Sequence, residues 1–358
     1  MPDTAQTDSA ALRGMIAGYM MSQIVSVTAA LGLADLLAER VVSAADLARA
    51  VASHEGSLRR LLHALTAGGL VEEPHDGHFA LTKRGALLRD GVPGSLRNLA
   101  LMVGNEGCWR AWGDLRLVMR NGEPAFARLL GMPPFTYAST RPELAAAFDG
   151  YMADRTRLAL DAILAAHDFA RYGRIVDVGG GNGVLIGGIL AAVSTAAGIV
   201  FDTPAAVAGA GRLIAEIGVA ERCSIVSGDF FESVPPGGDA YILKSVLHDW
   251  DDDRAIAILA NCRRAMSPRS VLLAIERLLP ERIEGSDAHR EITMMDLHML
   301  VLHGGRERTT AHFAELCAAA HLELVATQPT ASPFVIMEIV SARDIAAGAV
   351  AREMEGQP

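Results

Sequence analysis

The sequence predicts an α/β protein whose larger part is a doubly wound, mostly parallel sheet with an antiparallel edge strand. After Arg174, short apolar runs alternate with helical patterns, which is typical of a parallel sheet covered on both faces. Near the end, two strand-like runs follow each other across a short loop. Before residue 165 the patterns are mostly helical, and they predict an α-helical, winged-helix-like N-terminal domain.

The length of 358 residues predicts two domains, which we assign to residues 1–165 and 166–345, followed by a flexible tail at 346–358. The net charge is -10 and no dense Lys/Arg run occurs, which argues against nucleic acid or an acidic membrane as partner. The 4 cysteines lie far apart without a CxxC pair, and no signal-peptide pattern opens the chain. We therefore expect a cytoplasmic protein.

Residues 15–34 contain no charged side chain and are long enough to span a bilayer. Polar residues interrupt the segment, however, and its apolar residues recur at helical spacing on one face. These residues are Ile16, Met20, Ile24, Val27 and Leu31. The pattern therefore favours a buried helix, for example at a subunit interface, over a membrane span.

Residues 31–93 predict two small helices followed by a hairpin. Ser43 is expected to cap the first helix and Ser57 the second, which ends at Gly68 and Gly69. Two short strands, 70–72 and 78–81, then flank a turn with Gly77. This order is typical of DNA-binding winged helices, but the segment has 7 basic and 8 acidic residues. A scaffold for dimerisation or substrate contact is therefore the favoured interpretation.

Residues 95–165 are expected to be helical, with loops at 122–124 and 131–134. The sheet then follows in a Rossmann-like alternation of strands and helices. Its predicted parallel strands are residues 175–178, 199–201, 224–226, 240–243 and 271–275. The last two strands, 322–327 and 334–340, are expected to pair antiparallel at one edge.

A glycine-rich turn, Gly179-Gly180-Gly181-Asn182-Gly183, follows the first strand of the sheet. Ligands of open α/β sheets bind at this edge, where glycines let them approach the backbone. The GxGxG spacing differs from the GxGxxG of dinucleotide sites. Asp177, inside the strand, suits an ammonium-bearing ligand such as S-adenosylmethionine (SAM) better than a pyrophosphate. Gly179 and Gly181 are therefore candidate cofactor contacts.

Polar residues also stand at the ends of the next strands. Asp202 lies 25 residues after Asp177 and is suited to accept from ribose hydroxyls, which fits SAM or NAD. Asp229 is suited to accept from an adenine amino group, and Phe230 to pack on that ring. Lys244 ends the fourth strand and is suited to hold a carboxylate. Four such residues at successive strand ends indicate a cofactor site.

The run 244–252 begins at the fourth strand end and contains His248. A neutral imidazole is suited to deprotonate a phenol, because its pKa lies near 6.5. Glu276 at the fifth strand end and Glu307 in the run 304–309 are candidate carboxylates to orient it. A metal site is not expected, since His298 and His303 are five residues apart and no HExxH motif occurs.

Taken together, these motifs resemble the caffeic-acid/acetylserotonin type of SAM-dependent O-methyltransferases, in its bacterial natural-product branch. The resemblance covers roughly residues 12–342. It rests on the glycine turn, on Phe201-Asp202-Thr203-Pro204 and on the runs 228–231, 244–252, 276–277 and 304–309. Two departures lie outside the reaction centre. The family's common His-Pro pair is absent at 193–197, and Asp-Thr-Pro replaces Asp-Leu-Pro.

The resemblance implies that His248 is the general base, flanked by Glu276 and Glu307. It implies SAM contacts at Gly179, Asp202, Asp229, Phe230 and Lys244, and Trp250 over the adenine; Ser245 is included as a candidate beside Lys244. S-adenosylhomocysteine would be the product, and no metal would be used. The N-terminal domain would form a homodimer and lend a wall to the partner's pocket.

The acceptor site is less closely defined by the sequence. Its candidate residues precede the sheet or lie between the two glutamates: Trp109, Trp112, Phe135, Phe148, Met152, Met295, Asp296, Met299 and His303. The scarcity of Lys and Arg among them favours a neutral, flat aromatic molecule. Met295, Met299 and His303 fall at helical spacing, so they are equally compatible with an ordinary helix core.

The leading interpretation is O-methyl transfer to a phenolic or enolic aromatic metabolite. A SAM-binding homologue that performs decarboxylation, hydroxylation or cyclisation is the first alternative, and the intact His248, Glu276 and Glu307 argue against it. A ligand-sensing winged-helix regulator is disfavoured by the local charge. An NAD-dependent oxidoreductase is disfavoured by the GxGxG spacing and by Asp177. Nitrogen or sulfur as the acceptor atom stays open.

Overall fold

The structure is a computed structural model that describes residues 4–342. The predicted flexible tail, 346–358, lies outside the described residues. Two compact units are formed, Met1–Arg110 with Thr140–Asp154 and Ala111–Ser139 with Arg155–Pro358. The single boundary expected after residue 165 stays a prediction; the contacts group residues 111–139 and 155–165 with the sheet.

The first unit opens with the long helix α1, Thr4–Ala30, and a turn at Gly32 separates it from α2, Leu33–Leu36. The N-terminal part of the predicted apolar face of α1 is exposed in the single chain. Ile16 is 68% exposed and Met20 51% exposed. Ile24 and Leu31, by contrast, pack against the core of the first unit, so the expectation of a buried helix, for example at a subunit interface, stays a prediction. Within residues 4–342, no helix has the length and apolar character needed to cross a bilayer.

A small three-stranded sheet and two helices follow. The elements are β1 Val42–Ser43, α3 Ala44–Ala50, α4 Glu55–Ala67, β2 Val71–His75 and β3 His78–Leu81. Ser43 caps α3 as predicted, since its side chain accepts from the Asp46 N–H. The predicted cap at Ser57 is wrong. Helix α4 begins earlier, because the His54 Nδ1 accepts from the Ser57 N–H. The winged-helix interpretation of this order stays a prediction.

The region between the small sheet and the large one is helical, as predicted. Its helices are α5 Arg97–Gly104, α6 Glu106–Gly113, α7 Leu115–Asn121, α8 Ala125–Leu130, α9 Pro134–Ser139 and α10 Pro142–Ala166. Gly122 and Gly131 end α7 and α8 with positive φ angles of 72° and 75°. A side chain is strained in that conformation, so both glycines act as helix stops.

The second unit is built on a seven-stranded sheet in the order β6-β5-β4-β7-β8-β10-β9. Its elements are β4 Arg174–Val178, α11 Val184–Ala192, β5 Ala197–Asp202, α12 Ala210–Ile217, β6 Cys223–Ser227, β7 Ala240–Lys244, α13 Asp252–Ala265, β8 Val271–Glu276, α14 Asp287–Leu302, α15 Thr310–Ala319, β9 Leu322–Pro329 and β10 Val335–Ser341. Strands β4 to β8 pair in parallel, whereas β10 pairs antiparallel with β8 and β9. The predicted fold class is confirmed.

Both faces of this sheet are buried. On one face, Ile175 and Ile242 pack in a cluster with residues of α11 and α12. On the other face, Val176 and Leu243 pack in a second cluster with residues of α13 and α15. Successive strand residues point to opposite faces, so a strand covered on both sides reads as a continuous apolar run. The parallel arrangement brings the ends of β4, β5, β6, β7 and β8 to one edge.

Candidate active site

The glycine turn lies directly after β4 and is shaped by three positive φ angles, at Gly179, Gly181 and Gly183. A Cβ on Gly179 would lie 2.7 Å from the Val246 Cγ2 and is therefore excluded. Around Gly181, by contrast, a Cβ would meet nothing within 4 Å. The turn is tightly packed beneath and open at its centre, as close approach of a ligand to the backbone requires.

Three carboxyl groups stand at this edge. Asp202 is held by the turn itself, since its Oδ2 accepts from the Gly181 N–H at 2.9 Å and its Oδ1 from the Thr203 N–H at 2.7 Å. The Oδ2 of Asp177 is enclosed and has no hydrogen-bond partner within residues 4–342. Burial raises the pKa of Asp177 to about 7, with Asp202 adding to the rise and Lys244 opposing it. The Asp229 Oδ1 accepts from the Phe231 N–H at 2.8 Å.

The end of β7 supplies a buried cation and a strained serine. The Lys244 Nζ lies 4.4 Å from the centre of the Phe334 ring, and burial lowers the pKa of Lys244 to about 7, together with the charge of Arg155. Ser245 has a φ of 54°, and its Oγ is enclosed without a partner in the described chain. Strained, unpaired polar residues at a strand end are typical of binding sites.

These groups fit the amino-acid and ribose parts of SAM. The unpartnered Asp177 Oδ2 is suited to an ammonium group, Lys244 to a carboxylate, and Asp202 to a ribose. An enclosed polar atom without a partner costs stability, so a polar ligand at this edge would relieve it. The structure thus brings together the strand-end residues that the sequence assigned to the cofactor.

An aromatic cluster adjoins this edge. The Trp250 ring lies 4.7 Å from Phe231 and 6.1 Å from Phe230, in both cases nearly edge-on. The Arg254 guanidinium lies 5.2 Å from the ring of Trp250. The Asn261 Nδ2 donates to the Phe230 carbonyl oxygen at 2.7 Å, which fixes the backbone at that point. Phe230 and Trp250 therefore form one wall, suited to a flat ring.

His248 is buried and paired with a carboxylate. Its Nδ1 lies 3.0 Å from the Glu307 Oε1. A carboxylate accepts a hydrogen bond, so the Nδ1 is assigned as the donor. The Nε2 of a neutral His248 then carries the lone pair and is the nitrogen available to take a proton. Asp249 contributes charge rather than a hydrogen bond, because its Oδ1 lies 3.8 Å from the Nε2.

Glu276 acts on the backbone next to His248. Its Oε1 accepts from the Val246 N–H at 3.0 Å and from the Leu247 N–H at 2.9 Å. Its Oε2 is enclosed without a partner within the described ranges. The sequence placed both glutamates beside the imidazole. The structure places Glu307 against the ring and Glu276 under the loop that carries it.

A further residue holds this loop and was not singled out from the sequence. Arg308 is 1% exposed, and its guanidinium donates to the Leu247 and Trp250 carbonyl oxygens, both at 2.8 Å. It also donates to the Asp252 Oδ1 from two nitrogens, at 2.8 and 3.0 Å. A planar guanidinium can satisfy several acceptors at once, which an ammonium cannot do in the same way.

The segment 304–308 also contacts the backbone of His248. The Arg306 N–H donates to the His248 carbonyl oxygen at 2.9 Å. A Cβ on Gly305 would lie 2.2 Å from that oxygen, so only glycine fits there. Within the run Gly-Gly-Arg-Glu-Arg, Gly305, Glu307 and Arg308 therefore each have a structural reason. The only available signal in the sequence was the run itself.

The carboxyl groups determine the protonation of His248. Burial alone would lower its pKa, but the charges of Asp249 and Glu276 and the hydrogen bond that His248 donates to Glu307 outweigh burial and raise the pKa of His248 from 6.5 to about 9. A base must be unprotonated to accept a proton, and below its pKa most of the imidazole is protonated. The rate should therefore increase as the pH rises above neutrality.

We expect kcat/KM to rise with pH to a plateau, with a midpoint well above 6.5. In Glu307→Gln, which removes one negative charge from the Nδ1 side, the midpoint should move toward neutral pH. Comparing both enzymes with one acceptor cancels the ionisation of the acceptor itself. The assignment is contradicted if the midpoint is the same in both enzymes, or if kcat/KM falls between pH 7 and 9.

The candidate acceptor residues of the second unit lie along α14 and beside it. The Asp296 Oδ1 accepts from the Glu307 N–H at 2.9 Å, so Asp296 is part of the network of the base. The Phe135 ring lies 4.9 Å from that of His303, whose pKa is lowered to about 3 by burial and by the charges of His298 and His248. Met299 is buried and Met295 half-buried. Trp112 contacts His298 through a hydrogen bond and a stacked ring pair.

Trp109, Phe148 and Met152 belong to the first compact unit, and their assignment to the acceptor site stays a prediction. Metal ligation has no support from the geometry. Within residues 4–342, no three His, Cys, Asp or Glu side chains are grouped as they would be around a metal ion.

Comparison with known proteins follows the same division of the chain. The profile of an O-methyltransferase domain matches residues 112–322, and that of an O-methyltransferase dimerisation domain matches residues 14–90. Phenazine O-methyltransferase PhzM of Lysobacter antibioticus is 41% identical over 330 residues, which are 92% of this chain and 95% of that protein. Aclacinomycin 10-hydroxylase RdmB of Streptomyces purpurascens is 34% identical over 336 residues, 90% of this chain and 88% of that protein.

A solved structure links this fold to the cofactor. The O-methyltransferase NcsB1 from neocarzinostatin biosynthesis was crystallised with SAM and 2-hydroxy-5-methyl naphthoic acid. It superposes with a TM-score of 0.80 at 35% identity, over 90% of this chain and 96% of that one. The resemblance seen in the sequence is thereby confirmed, and SAM is the cofactor; its contacts with the strand-end residues stay a prediction. The chain belongs to the family of SAM-dependent O-methyltransferases.

Proposed function

We propose that the protein methylates a phenolic hydroxyl of a flat aromatic metabolite, with His248 as the general base. The observation that carries this proposal is the buried His248–Glu307 pair, with an Nδ1 to Oε1 distance of 3.0 Å, at the sheet edge that bears the cofactor residues. When bound, SAM supplies an electrophilic methyl group on a sulfonium. The catalytic role of His248 and the positioning roles of Glu276 and Glu307 are part of the proposal.

The residues of this chain handle the proton and the orientation. The His248 Nε2 accepts the proton of the hydroxyl as its oxygen forms the bond to the methyl carbon, and the bond from that carbon to sulfur breaks. Glu307 stabilises the imidazolium that results, through its contact with the Nδ1. Arg308 and Glu276 hold the loop 247–250 in place, so that the imidazole is positioned before the acceptor arrives.

Two findings favour an aromatic acceptor. Trp112, Phe135 and Trp250 form ring contacts in the second unit, alongside His298 and His303. The relatives described above include a phenazine O-methyltransferase and an enzyme crystallised with a naphthoic acid. A ring system of similar flatness is the acceptor class we propose for this chain.

The test is a panel of phenols, naphthols and hydroxyphenazines incubated with the enzyme and SAM, followed by mass spectrometry. We expect at least one acceptor to gain the mass of one methyl group. SAM, and not NAD, should raise the melting temperature, because a ligand that binds only the folded state stabilises it. A melting temperature raised by NAD alone would refute the cofactor assignment, and a panel without any methyl gain would refute the reaction.

Hydroxylation is the second candidate, because a protein named as a hydroxylase is 34% identical over 336 residues. The His248–Glu307 pair argues for methyl transfer, since removal of a hydroxyl proton is the step that such a pair serves. The same mass spectra separate the two reactions. A gain of one oxygen atom without a methyl group would favour hydroxylation.

We further propose that the protein is a homodimer joined through α1. The dimerisation profile covers residues 14–90, and Ile16 and Met20, one helical turn apart, are 68% and 51% exposed in the single chain. A contiguous exposed apolar surface is typical of an association site. The net charge of -10 argues against nucleic acid or an acidic membrane as partner, and the free cysteines suit the cytoplasm.

Met20→Glu should convert the dimer into a monomer, because an unpaired carboxylate would be buried at the interface. Light scattering at working concentration measures this. Met119→Glu is the matched control, since Met119 in α7 is 55% exposed and should tolerate the charge without dissociation. A monomeric parent protein, or a dimeric Met20→Glu variant, would contradict the assignment of the interface.

A further inference from the structure

Trp112 and His298 form a polar pair within the second unit. The Trp112 Nε1–H lies 3.0 Å from the His298 Nδ1, and the two rings stack with centroids 6.1 Å apart and an angle of 26° between their planes. An indole nitrogen can only donate a hydrogen bond. The His298 Nδ1 is therefore the acceptor, and a neutral His298 must carry its hydrogen on the Nε2.

The charge state of His298 supports the same tautomer. Protonation would place a hydrogen on the Nδ1 and break the bond from Trp112. Burial, together with the charge of His248, lowers the pKa of His298 to about 4. His298 is thus neutral in the range where His248 loses its proton, and its Nε2–H stays a donor.

The position of His298 connects it to the base. It lies on α14 two residues after Asp296, whose Oδ1 accepts from the Glu307 N–H at 2.9 Å. Glu307 in turn contacts the His248 Nδ1 at 3.0 Å. Residues three and four apart share a helix face, so His298 lies on the same face as Met295.

The Nε2 of His298 is available to a ligand. It makes no hydrogen bond to any residue in the described part of the chain. His298 is half-buried, and its Nε2 is not among the fully enclosed polar atoms that lack a partner in residues 4–342. A donor with a fixed hydrogen is therefore held on the helix that also carries Asp296, which contacts Glu307 of the base pair.

We propose that His298 determines acceptor specificity, by donating from its Nε2 to a carbonyl oxygen that is conjugated with the reacting hydroxyl. This inference rests on the proposed function and names its acceptor class as hydroxylated aromatic ketones, esters or quinones. As the hydroxyl loses its proton to His248, negative charge spreads through the ring onto the conjugated carbonyl oxygen. A neutral donor aimed at that oxygen stabilises the charge where it develops.

The test uses acceptor pairs with the same carbon skeleton, one with the carbonyl oxygen and one without. Suitable pairs are 1-hydroxy-2-acetonaphthone with 2-ethyl-1-naphthol, 2'-hydroxyacetophenone with 2-ethylphenol, and 1-hydroxyanthraquinone with 1-hydroxyanthracene. The readout is the ratio of the kcat/KM values within a pair, for the parent enzyme and for each variant. Dividing one ratio by the other cancels the intrinsic acidity of the phenols.

We expect the parent to prefer the carbonyl member, and His298→Leu to reduce that preference about tenfold to a hundredfold, as for loss of a hydrogen bond to a charged group. His298→Gln, which keeps an N–H donor, should retain most of the preference. Trp112→Phe removes the hydrogen bond that fixes the tautomer of His298, so it should give an intermediate ratio. If His298→Leu fails to fold, these two variants decide, because a merely structural role would affect both members of a pair alike.

The outcomes separate the two proposals. Methylation with the same ratio in the parent and in the variants overturns the role of His298 and leaves the proposed function intact. A His298→Leu ratio that shifts toward the carbonyl member overturns it as well. A parent enzyme that methylates no acceptor of these pairs or of the wider phenol panel refutes the proposed function, and this inference with it.

Discussion

Replacing His248 with glutamine is expected to reduce kcat/KM by about a hundredfold to ten-thousandfold, the usual contribution of a positioned general base. Glutamine keeps an amide group in the buried site, but an amide cannot accept the proton of a phenol. SAM affinity should be retained, since the cofactor residues Asp177, Asp202 and Lys244 are unchanged. Steady-state kinetics and calorimetric titration with SAM measure the two quantities.

The matched control is His75→Gln, since His75 is exposed on β2 in the other compact unit. It should leave both kcat/KM and SAM affinity as in the parent. If His248→Gln keeps full activity, His248 is not the base. If it loses SAM binding together with turnover, the residue supports the cofactor site instead.

Replacing Arg308 with methionine should lower the free energy of unfolding by about 2–4 kcal/mol, because two backbone carbonyl oxygens are left without their donor while the partly exposed Asp252 keeps other partners. The Leu247 and Trp250 carbonyl oxygens would lose their donor, and Asp252 its main counter-charge. Because these carbonyls flank His248, kcat should fall as well, even at temperatures where the variant is fully folded. Arg308→Lys should restore only part of both quantities, because an ammonium lacks the planar fork.

Arg306→Met is the control, because Arg306 also pairs with Asp252, at 3.4 Å, but is about half exposed. Exposed pairs contribute about 1 kcal/mol or less, so its loss should be small, and the backbone bond from residue 306 to His248 remains. Chemical denaturation and kcat measured side by side test the pair of variants. Equal losses for Arg306→Met and Arg308→Met would contradict the role assigned to Arg308.

The large sheet was the most predictable part of the fold. Strands buried on both faces are marked by continuous apolar runs, and residues 175–178 and 271–275 lie inside β4 and β8 for this reason. The ends of individual helices and the shortest strand were less predictable. Helix α4 begins at Glu55 rather than after Ser57, because a histidine side chain serves as its cap. The short strand β1, Val42–Ser43, depends only on its pairing with β3 and has no local signal.

The face of α1 marks another limit of local pattern. Periodicity identified the apolar stripe that includes Ile16 and Met20, but it cannot say whether the same chain covers it. The single chain leaves these side chains exposed. The sequence therefore predicts that a surface is apolar, whereas what packs against it depends on tertiary or quaternary contacts.

The candidate site also contains residues that the sequence predicted and contacts that it did not. Asp202 and Lys244 were predictable because parallel strands bring their ends to one edge of a sheet. The approach of Glu307 to His248 was expected from family resemblance, since 59 residues separate them in the chain. The contacts of Arg308, the backbone role of Glu276 and the tautomer of His298 depend on distances between remote segments. No spacing within the sequence encodes those distances.

The central claim is transfer of the SAM methyl group to a phenolic oxygen. Its most direct test is a reaction of the parent enzyme with SAM that carries a carbon-13 methyl group, followed by carbon NMR of the product. We predict that the label appears as an aryl O–CH3 resonance, and that its yield falls in His248→Gln. A label found as N–CH3, S–CH3 or C–CH3, or no label in any product, would contradict the claim.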